Sequence, residues 1–593
     1  MCGICGELNF NQQPGDPSVI KKMLPALARR GPDFEDTWQA GPVQFGHRRL
    51  AIIDLSPQSN QPMHDARLGL TIVFNGAIYN YPQLREQFIA EGYTFQSHGD
   101  TEVILKAYHK WGEDCPAHLD GMFAFAIWDQ NKKQLFAARD RMGIKPFYFS
   151  RTDNYFRFAS NIQSLLASGD IDTSISKVGL HHQFTLHAVI PAPYTIFNGI
   201  QKLEPGTTLT ITEIGETRQR RYWRLNATRD HSVTSDEEWE TLIHDQLREA
   251  VKKRLFVADV PVGVLLSGGL DSSLLVALLA EAGVKDLLTF SIGFEDQPEE
   301  KGSEFEFSDQ VVARYQTQHH KIHIANDQVL KRLPEAVQAM AEPMFGQDAV
   351  AFYLLSEQVS KHVKVVQSGQ GADEVFAGYF WYPKMQQDTQ GSYVDRFARY
   401  YFDRDHDEYL QTVDEKFHGE DYTRQKIDAL LNEPDADEMI DRVLRMDVTT
   451  LIVDDPVKRV DNMTMAFGLE ARVPFLDYRL VELAARMPPH LKLGSGGKHV
   501  LKQISRGLLP DAVIDRPKGY FPMPALKYVR GDFLAFMRDI LLDSRAVQRG
   551  LYQRDYVEKL LSEPDQHFTR LQGSKLWHLA LLELWLQTHV ENH

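Results

Sequence analysis

Cysteine at position 2, behind Met1 and ahead of Gly3, places a thiol and, once the methionine is removed, a free α-amine on one residue. An α-amine, which ordinarily titrates at about 7.7–8.0, can take the thiol proton near neutral pH, directly or through one water, and the resulting thiolate is a nucleophile. A second group is Ser267-Gly268-Gly269-Leu270-Asp271-Ser272-Ser273, which follows the apolar run Val260–Leu266 and opens a helical pattern over Leu274–Glu281. Strand, glycine turn and helix make an anion site: backbone N–H groups and the positive helix end face a phosphate, the serines add donors, and Asp271 can hold Mg²⁺. No Gly-Lys-Ser/Thr follows, so the turn is not a Walker A loop. A third group, Ser368-Gly369-Gln370-Gly371-Ala372-Asp373-Glu374, again follows a strand-like run, Val363–Gln367, and would let Asp373 share that metal. Downstream, Gly496-Gly497-Lys498-His499 sets a cation behind a flexible turn, suited to charge developing on a phosphoryl group.

The elements that must carry these groups fall into two patterns. Residues 1–150 hold short β-like pieces, Val43–His47, Leu70–Phe74, Phe123–Trp128, Gln134–Ala138 and Phe147–Ser150, separated by Gly, Pro, Asn and Asp turns, as in a layered sheet domain. Thr207–Ile214 and Arg221–Trp223 read as further strands, and acidic Asp230–Glu240 as the linker into a second domain. Beyond it, amphipathic helices alternate with the strands Val260–Leu266, Leu287–Ile292 and Val363–Gln367, the signature of a mostly parallel α/β sheet. After Asp447 the chain reads as chiefly helical. The 593 residues are 43% apolar and 25% charged, enough for several cores and at least two domains. The net charge, 65 − 81 = −16, argues against a nucleic-acid or anionic-membrane surface. Three cysteines make no disulfide framework, and the start lacks a signal-peptide pattern, so a cytoplasmic protein with small-molecule partners is expected. The apolar run Leu576–Leu586 is too short for a membrane span.

Cys2, Arg30-Gly31-Pro32-Asp33, Gly46-His47-Arg48-Arg49-Leu50, Asn75-Gly76, Asp100, the two glycine turns and Leu469-Glu470-Ala471-Arg472-Val473-Pro474-Phe475-Leu476-Asp477 stand in one order along the chain. That set resembles the glutamine-hydrolysing asparagine synthetases over nearly the whole length. The resemblance implies an N-terminal Ntn-hydrolase domain, a four-layer αββα sandwich of the class II glutamine amidotransferase type at 1–215. It also implies a doubly wound parallel ATP-pyrophosphatase domain with added helices at 216–593, and a tunnel for ammonia between them; a homodimer is compatible with it.

In that family the thiolate attacks the glutamine amide, and the second domain adenylates an acceptor carboxylate that ammonia then attacks. Carried over by position, Cys2, Asn75, Gly76 and Lys498 are catalytic, with Asn75 and the Gly76 N–H forming an oxyanion hole. Arg49 pairs with the glutamine α-carboxylate, Asp100 takes its α-ammonium, and Ile53 joins that pocket. Leu265, Ser267, Gly268, Gly269, Asp271, Ser272, Ile292, Ser368 and Gly369 hold ATP, and Asp271 and Asp373 hold Mg²⁺.

Two positions depart from the pattern. Ala77 stands where the family has Glu after Asn-Gly, and Gln370 stands where it has a Glu implicated in forming the aspartyl-adenylate. An amide cannot titrate, so either another group does that work or the acceptor is not aspartate. Val363–Tyr379, the start Met-Cys-Gly-Ile-Cys-Gly-Glu-Leu and Phe74–Tyr81 are similar to the N-acetylglutaminylglutamine amidotransferase branch, which implies amidation of an acetylated dipeptide to a neutral osmoprotectant. That acceptor is favoured over aspartate, with a non-enzymatic descendant the third alternative. The pairs His181-His182 and His319-His320, with His323, read as structural. Glu295–Glu306 reads as a surface loop over the nucleotide site, and Tyr379, Phe380, Trp381 and Tyr382 as candidates for lining the acceptor pocket.

Overall fold

The computed structural model describes residues 2–296, 301–516 and 524–590. Met1 and positions 297–300 of the acidic stretch lie outside the described residues.

The N-terminal half is built on two six-stranded sheets. In the first, Gly3–Asn9 runs between Val43–Arg49 and Tyr155–Ala159, antiparallel to both. In the second, Leu70–Ile78 and Gly121–Asp129 pair along their full lengths, with Gln134–Arg139 and Thr207–Thr212 beyond. Strand alternation sorts the side chains into layers. Ile4, Leu8, Ala124, Ala126 and Trp128 fill the space between the sheets, while Phe123, Phe125 and Ile127 pack outward. On that outer face lie the helices Tyr81–Ala90 and Asp100–Trp111. Cys5 turns the other way, toward the helices Pro17–Met23 and Ile162–Ala167. The four layers are helix, sheet, sheet, helix.

Thr217–Arg221 pairs with Thr207–Thr212 at the edge of the second sheet, so this sheet continues past the division expected at 215/216. The strand expected at Arg221–Trp223 falls at Thr217–Arg221 instead. The end of the stretch read as a linker is already helix: the Ser235 side chain accepts from Glu238 N–H, and Asp236, Glu237 and Glu238 occupy the first turn of Asp236–Phe256. Acidic residues suit that position because they face the positive end of the helix dipole.

The C-terminal half carries a five-stranded parallel sheet in the order Gln318–Ile324, Leu288–Phe294, Val262–Leu265, Val365–Gln367, Glu470–Arg472. Val262–Leu265 is first in the chain and lies mid-sheet beside Val365–Gln367, so the connections diverge between these two neighbours. That is a topological switch point, where ligands gather at the carboxyl ends of strands. After Asp447 the chain is chiefly helical, as expected, with one short strand, Glu470–Arg472, that the sequence does not announce. Three buried residues between helices carry too little alternation to show as a strand.

Two cores run without a break across both halves: one joins Leu50, Ile52 and Ala77 to Leu247 and Leu266, another joins Ile20 and Phe184 to Met344 and Trp577. Buried ion pairs cross the same boundary. Lys202 Nζ donates to Glu342 at 3.1 Å, to the Ile190 carbonyl at 2.6 Å and to Asp454. Glu342 also accepts from Tyr148 Oη at 3.0 Å and Lys458 Nζ at 3.2 Å. Replacing one member strands buried charge. Lys202→Met is therefore expected to lose about 3–5 kcal/mol of stability, read as a lowered urea midpoint; an unchanged midpoint would show that the cluster contributes nothing.

Candidate active sites

Cys2 precedes the first strand of the sandwich and is 7% exposed. Its backbone nitrogen donates to Asn75 Oδ1 at 3.0 Å, a bond from the first sheet to the second, since Asn75 belongs to Leu70–Ile78. With that oxygen engaged, Asn75 Nδ2 is buried and has no hydrogen-bond partner among the described residues. Gly76 lies where the next strand presses close: a Cβ there would come 2.1 Å from the Met122 carbonyl oxygen. Burial pushes the Cys2 thiol up, while the positive chain terminus, the Leu50 amide and Arg49 draw it back toward the thiolate.

Arg49 ends the strand Val43–Arg49, and three of its five guanidinium N–H groups bond a loop: Nη1 donates to Ser56 O at 2.9 Å and to Asn60 Oδ1 at 2.6 Å, and Nη2 to the Asp54 carbonyl. Ile53 in the same loop is half-buried against the core shared by both halves. Asp100 opens its helix at 5% exposure and accepts from Ile78 N–H at 3.0 Å. Burial raises its carboxyl to about 6, with the Ile78 amide opposing. Ala77 is buried beside this group. An anionic or hydrogen-bonding side chain is thus missing where the family carries Glu.

One residue whose role the motif did not specify links this end of the sandwich to the other half. Arg30 Nε donates to the Cys2 carbonyl at 3.3 Å, and its Nη1 to Asp461 Oδ2 at 2.9 Å. Lys145 Nζ donates to the other Asp461 oxygen at 2.9 Å. Burial alone would raise the Asp461 carboxyl; Arg30 and Lys145 outweigh it and hold it at about 2.

In the second half, both glycine turns open onto one cavity of about 690 Å³. Leu265, Ser267, Gly269, Asp271, Ser272, Ile292, Ser368, Gly369, Gln370, Asp373 and Lys498 all line it. Gly268 is absent from the lining: its φ of +75° shapes the turn, and a Cβ would meet the Ser308 amide nitrogen at 2.6 Å. The helix starts at Leu270 rather than Leu274, which puts Asp271, Ser272 and Ser273 in its first turn.

Lys498 closes the switch point. Its Nζ lies 2.6 Å from Asp271 Oδ2 and 2.8 Å from Asp373 Oδ1, and the two carboxylates outweigh burial to push its pKa up. The structure therefore joins Lys498 to the two aspartates expected to hold metal. Two carboxylates at adjacent strand ends are hard oxygen donors of the kind Mg²⁺ prefers. Among the aromatic residues singled out above, Tyr379 and Trp381 line the cavity, Phe380 is 42% exposed, and Tyr382 is buried with its hydroxyl on Asp447. His187, Asp348, Asp455 and Arg459 also line it, and no sequence motif announces them. Glu304, from the stretch read as a surface loop, lines it too and bonds Arg516 at 3.0 Å.

The histidine pairs read as structural have protein partners. His181 Nδ1 lies 2.7 Å from Thr423 Oγ1 and Nε2 lies 3.0 Å from His406 Nδ1; His319 Nδ1 lies 2.9 Å from Thr289 Oγ1. Among the described residues no helix is long and apolar enough to cross a membrane.

A sandwich with a buried N-terminal thiol, joined to a parallel sheet with two glycine turns at its switch point, defines a glutamine amidotransferase fused to an ATP-using ligase. Residues 1–223 match the glutamine amidotransferase domain family, and residues 242–587 match the asparagine synthase family. Bacillus subtilis (strain 168) glutamine-hydrolysing asparagine synthetase 1 is 30% identical, covering 100% of this chain and 97% of the relative. Asparagine synthetase 3 of the same organism is 31% identical over 99% of each chain. Asparagine synthetase B of Escherichia coli (strain K12) is 26% identical over 88% of this chain and 82% of the relative. The chain belongs to the asparagine synthase family and is a carbon–nitrogen ligase of the glutamine-dependent, asparagine-synthetase type.

Gly378 tests the geometry of the lysine. A Cβ there would come 2.1 Å from Asp373 Oδ1 and 2.2 Å from Lys498 Cε. Gly378→Ala is expected to displace that ion pair, cutting ATP-dependent pyrophosphate release at least roughly tenfold while glutamine hydrolysis is retained. Unchanged pyrophosphate release would show that the three groups need no such precision.

Proposed function

We propose that this chain transfers the amide nitrogen of glutamine to the C-terminal carboxylate of N-acetylglutaminylglutamine. In the sandwich, the Cys2 amine or a water takes the thiol proton, and the thiolate attacks the side-chain carbonyl carbon of glutamine. Ammonia leaves, and water hydrolyses the thioester to glutamate. Asn75 Nδ2 and the Gly76 N–H stabilise the oxyanion, Arg49 and Asp100 hold the two ends of glutamine, and Ile53 packs beside it. The unpartnered Asn75 Nδ2 supports the first of these roles.

In the second half, an acceptor carboxylate oxygen attacks the α-phosphorus of ATP and pyrophosphate leaves. Ammonia then attacks the acyl carbon and AMP leaves. The two glycine turns hold the nucleotide, Asp271 and Asp373 would hold Mg²⁺, and Lys498 neutralises charge on the phosphoryl group. Mg²⁺, when bound, supplies charge neutralisation to the phosphates. We place the domain division at 215/216 for the two activities.

The observation that carries the acceptor is Gln370. A neutral amide lines the cavity where an asparagine-forming site has a carboxylate, and Tyr379, Trp381 and Tyr401 line the same cavity. Removing a negative charge suits an acceptor without an α-ammonium, and the aromatic wall suits one larger than an amino acid. The second reading is aspartate, supported by the names of the relatives. Pyrophosphate release in wild-type protein, followed with each acceptor in turn, separates the two. Release with the peptide and not with aspartate is expected; release with aspartate alone overturns the peptide.

Two further outcomes test the sandwich. Cys2→Ala is expected to lose glutamine-dependent product entirely and to keep product formed from added ammonia; loss of both with the fold intact contradicts separate sites. Asp100 must be ionised to hold an ammonium group, and its carboxyl titrates at about 6. The kcat/KM for glutamine should therefore fall as pH drops through about 6, with Asp100→Asn low at every pH and without that limb. A limb that persists in Asp100→Asn assigns the titration to another group.

A further inference from the structure

His187 reaches the ATP-side cavity from the half of the chain that carries the thiol. It follows the helix Lys177–Thr185, and its backbone is unusual: His187 has φ 53° and Ala188 φ 66°, two successive non-glycine residues in the left-handed region. Such a pair is strained and persists only where the surroundings fix it. Here they do. Ala188 N–H donates to Gln183 O at 2.9 Å, Asp403 N–H to Thr185 O at 2.9 Å, and Ile190 N–H to Asp454 Oδ2 at 3.1 Å.

The ring is aimed as firmly as the backbone. His187 Nδ1 lies 2.8 Å from Asp403 Oδ2, and that carboxylate is completely buried. Burial works against charge on the imidazole, but Asp403 outweighs it, with Asp455 and Asp348 adding, and the pKa is pushed up to about 9. Neighbouring His578 is fully buried, stacks on Phe345 with ring centroids 4.1 Å apart, and is held neutral by burial, so it does not compete for the charge. Gly573 closes the pair from the other side: a Cβ there would come 3.0 Å from His578 Nε2 and 3.4 Å from His187 Cε1. With Nδ1 engaged, Nε2–H is the ring's remaining donor, and it has no hydrogen-bond partner among the described residues.

The charges around it decide what the donor is for. Asp348 and Asp455 line the same cavity and pair with Arg459, at 2.9 Å in the case of Asp348. Asp348, Asp455, Arg459 and His187 make a mixed zone of two carboxylates and two cations, while the glycine turns and Lys498 already serve a polyphosphate. Such a zone fits an organic acid carrying an N–H donor beside an oxygen acceptor, a description that an N-acylated peptide and an α-amino acid share.

We propose that His187, oriented by Asp403, binds a non-reacting carbonyl or carboxylate oxygen of the acceptor through Nε2–H. The amidotransferase half thereby contributes a specificity-determining residue to the synthetase cavity. The assignment rests on the reading of that cavity as the place where an acceptor carboxylate is activated.

The test uses the full chain, with pyrophosphate release measured against N-acetylglutaminylglutamine and, separately, aspartate. His187→Gln keeps a neutral donor and His187→Ala removes it. With whichever acceptor the wild type uses, KM should rise roughly 10-fold in the first variant and roughly 100-fold in the second. KM for ATP and the rate of glutamine hydrolysis should stay unchanged. Asp403→Asn should raise the acceptor KM with His187 still present. A merely structural role would lower kcat and the urea midpoint together without ordering the acceptor KM values. An acceptor KM that is unchanged in all three variants, or raised only together with KM for ATP, overturns the assignment while leaving the cavity's function standing. Wild-type protein that releases pyrophosphate with neither compound overturns the reading of the cavity and this assignment with it.

Discussion

Asp461 is a carboxylate with almost no exposure that draws both its cations, Arg30 and Lys145, from the other half of the chain. A buried charge is expensive to desolvate and tolerable only when paired. The helix Lys458–Met465 that carries it is therefore committed to one docking position against the sandwich. Arg30 extends the constraint to the thiol, because the same guanidinium also holds the Cys2 carbonyl. Glu470, on the edge strand that follows, is fully buried and bonded to Arg472 at 2.6 Å. Arg472 in turn donates to the carbonyls of Arg254 and Val257 at 2.7 Å, where the first long helix ends. From Cys2 to the parallel sheet, position passes through buried ion pairs and carbonyl caps, with apolar packing continuous around them.

The switch point is organised by a different balance. Asp271 and Asp373 bring two negative charges together at neighbouring strand ends, and Lys498 supplies one positive charge between them. Like charges at that separation would disfavour each other without it. The lysine backbone is itself left-handed, with φ 56°, and its N–H is tied to the Phe376 carbonyl at 3.0 Å. Gly378 is required because any side chain there would occupy the space of the ion pair. The trio keeps a net negative charge, a setting that favours a further cation over a bare phosphate.

The sequence was most legible where local rules decide the outcome. A glycine turn after an apolar run is strand-turn-helix whatever surrounds it, so both glycine turns and their carboxylates were readable from spacing. The apolar piece Phe123–Trp128 read as a strand and lies within Gly121–Asp129. What stayed hidden depends on contacts between distant positions. His187 and Asp403 are 216 residues apart, and Arg30 and Asp461 are 431 apart. Nothing in the neighbourhood of any of them marks its partner. Glu470–Arg472 escaped because its three residues are too few for a period. Arg49 stood out in the sequence, but its bonds to Ser56, Asn60 and Asp54, which hold the following loop, did not.

Cys2 is held in place by tertiary contacts more than by its own stretch of chain. The sandwich does this by placing the strand that follows Cys2 between two partners and then bonding its nitrogen across to the second sheet. That bond also settles the side-chain amide of Asn75. Its oxygen must face the nitrogen of residue 2 to accept, so its nitrogen must face away, and the orientation is dictated by the donor rather than chosen. After methionine removal the same atom is the α-amine. One contact between the two sheets thus ties residue 2 to Leu70–Ile78 and orients the Asn75 amide.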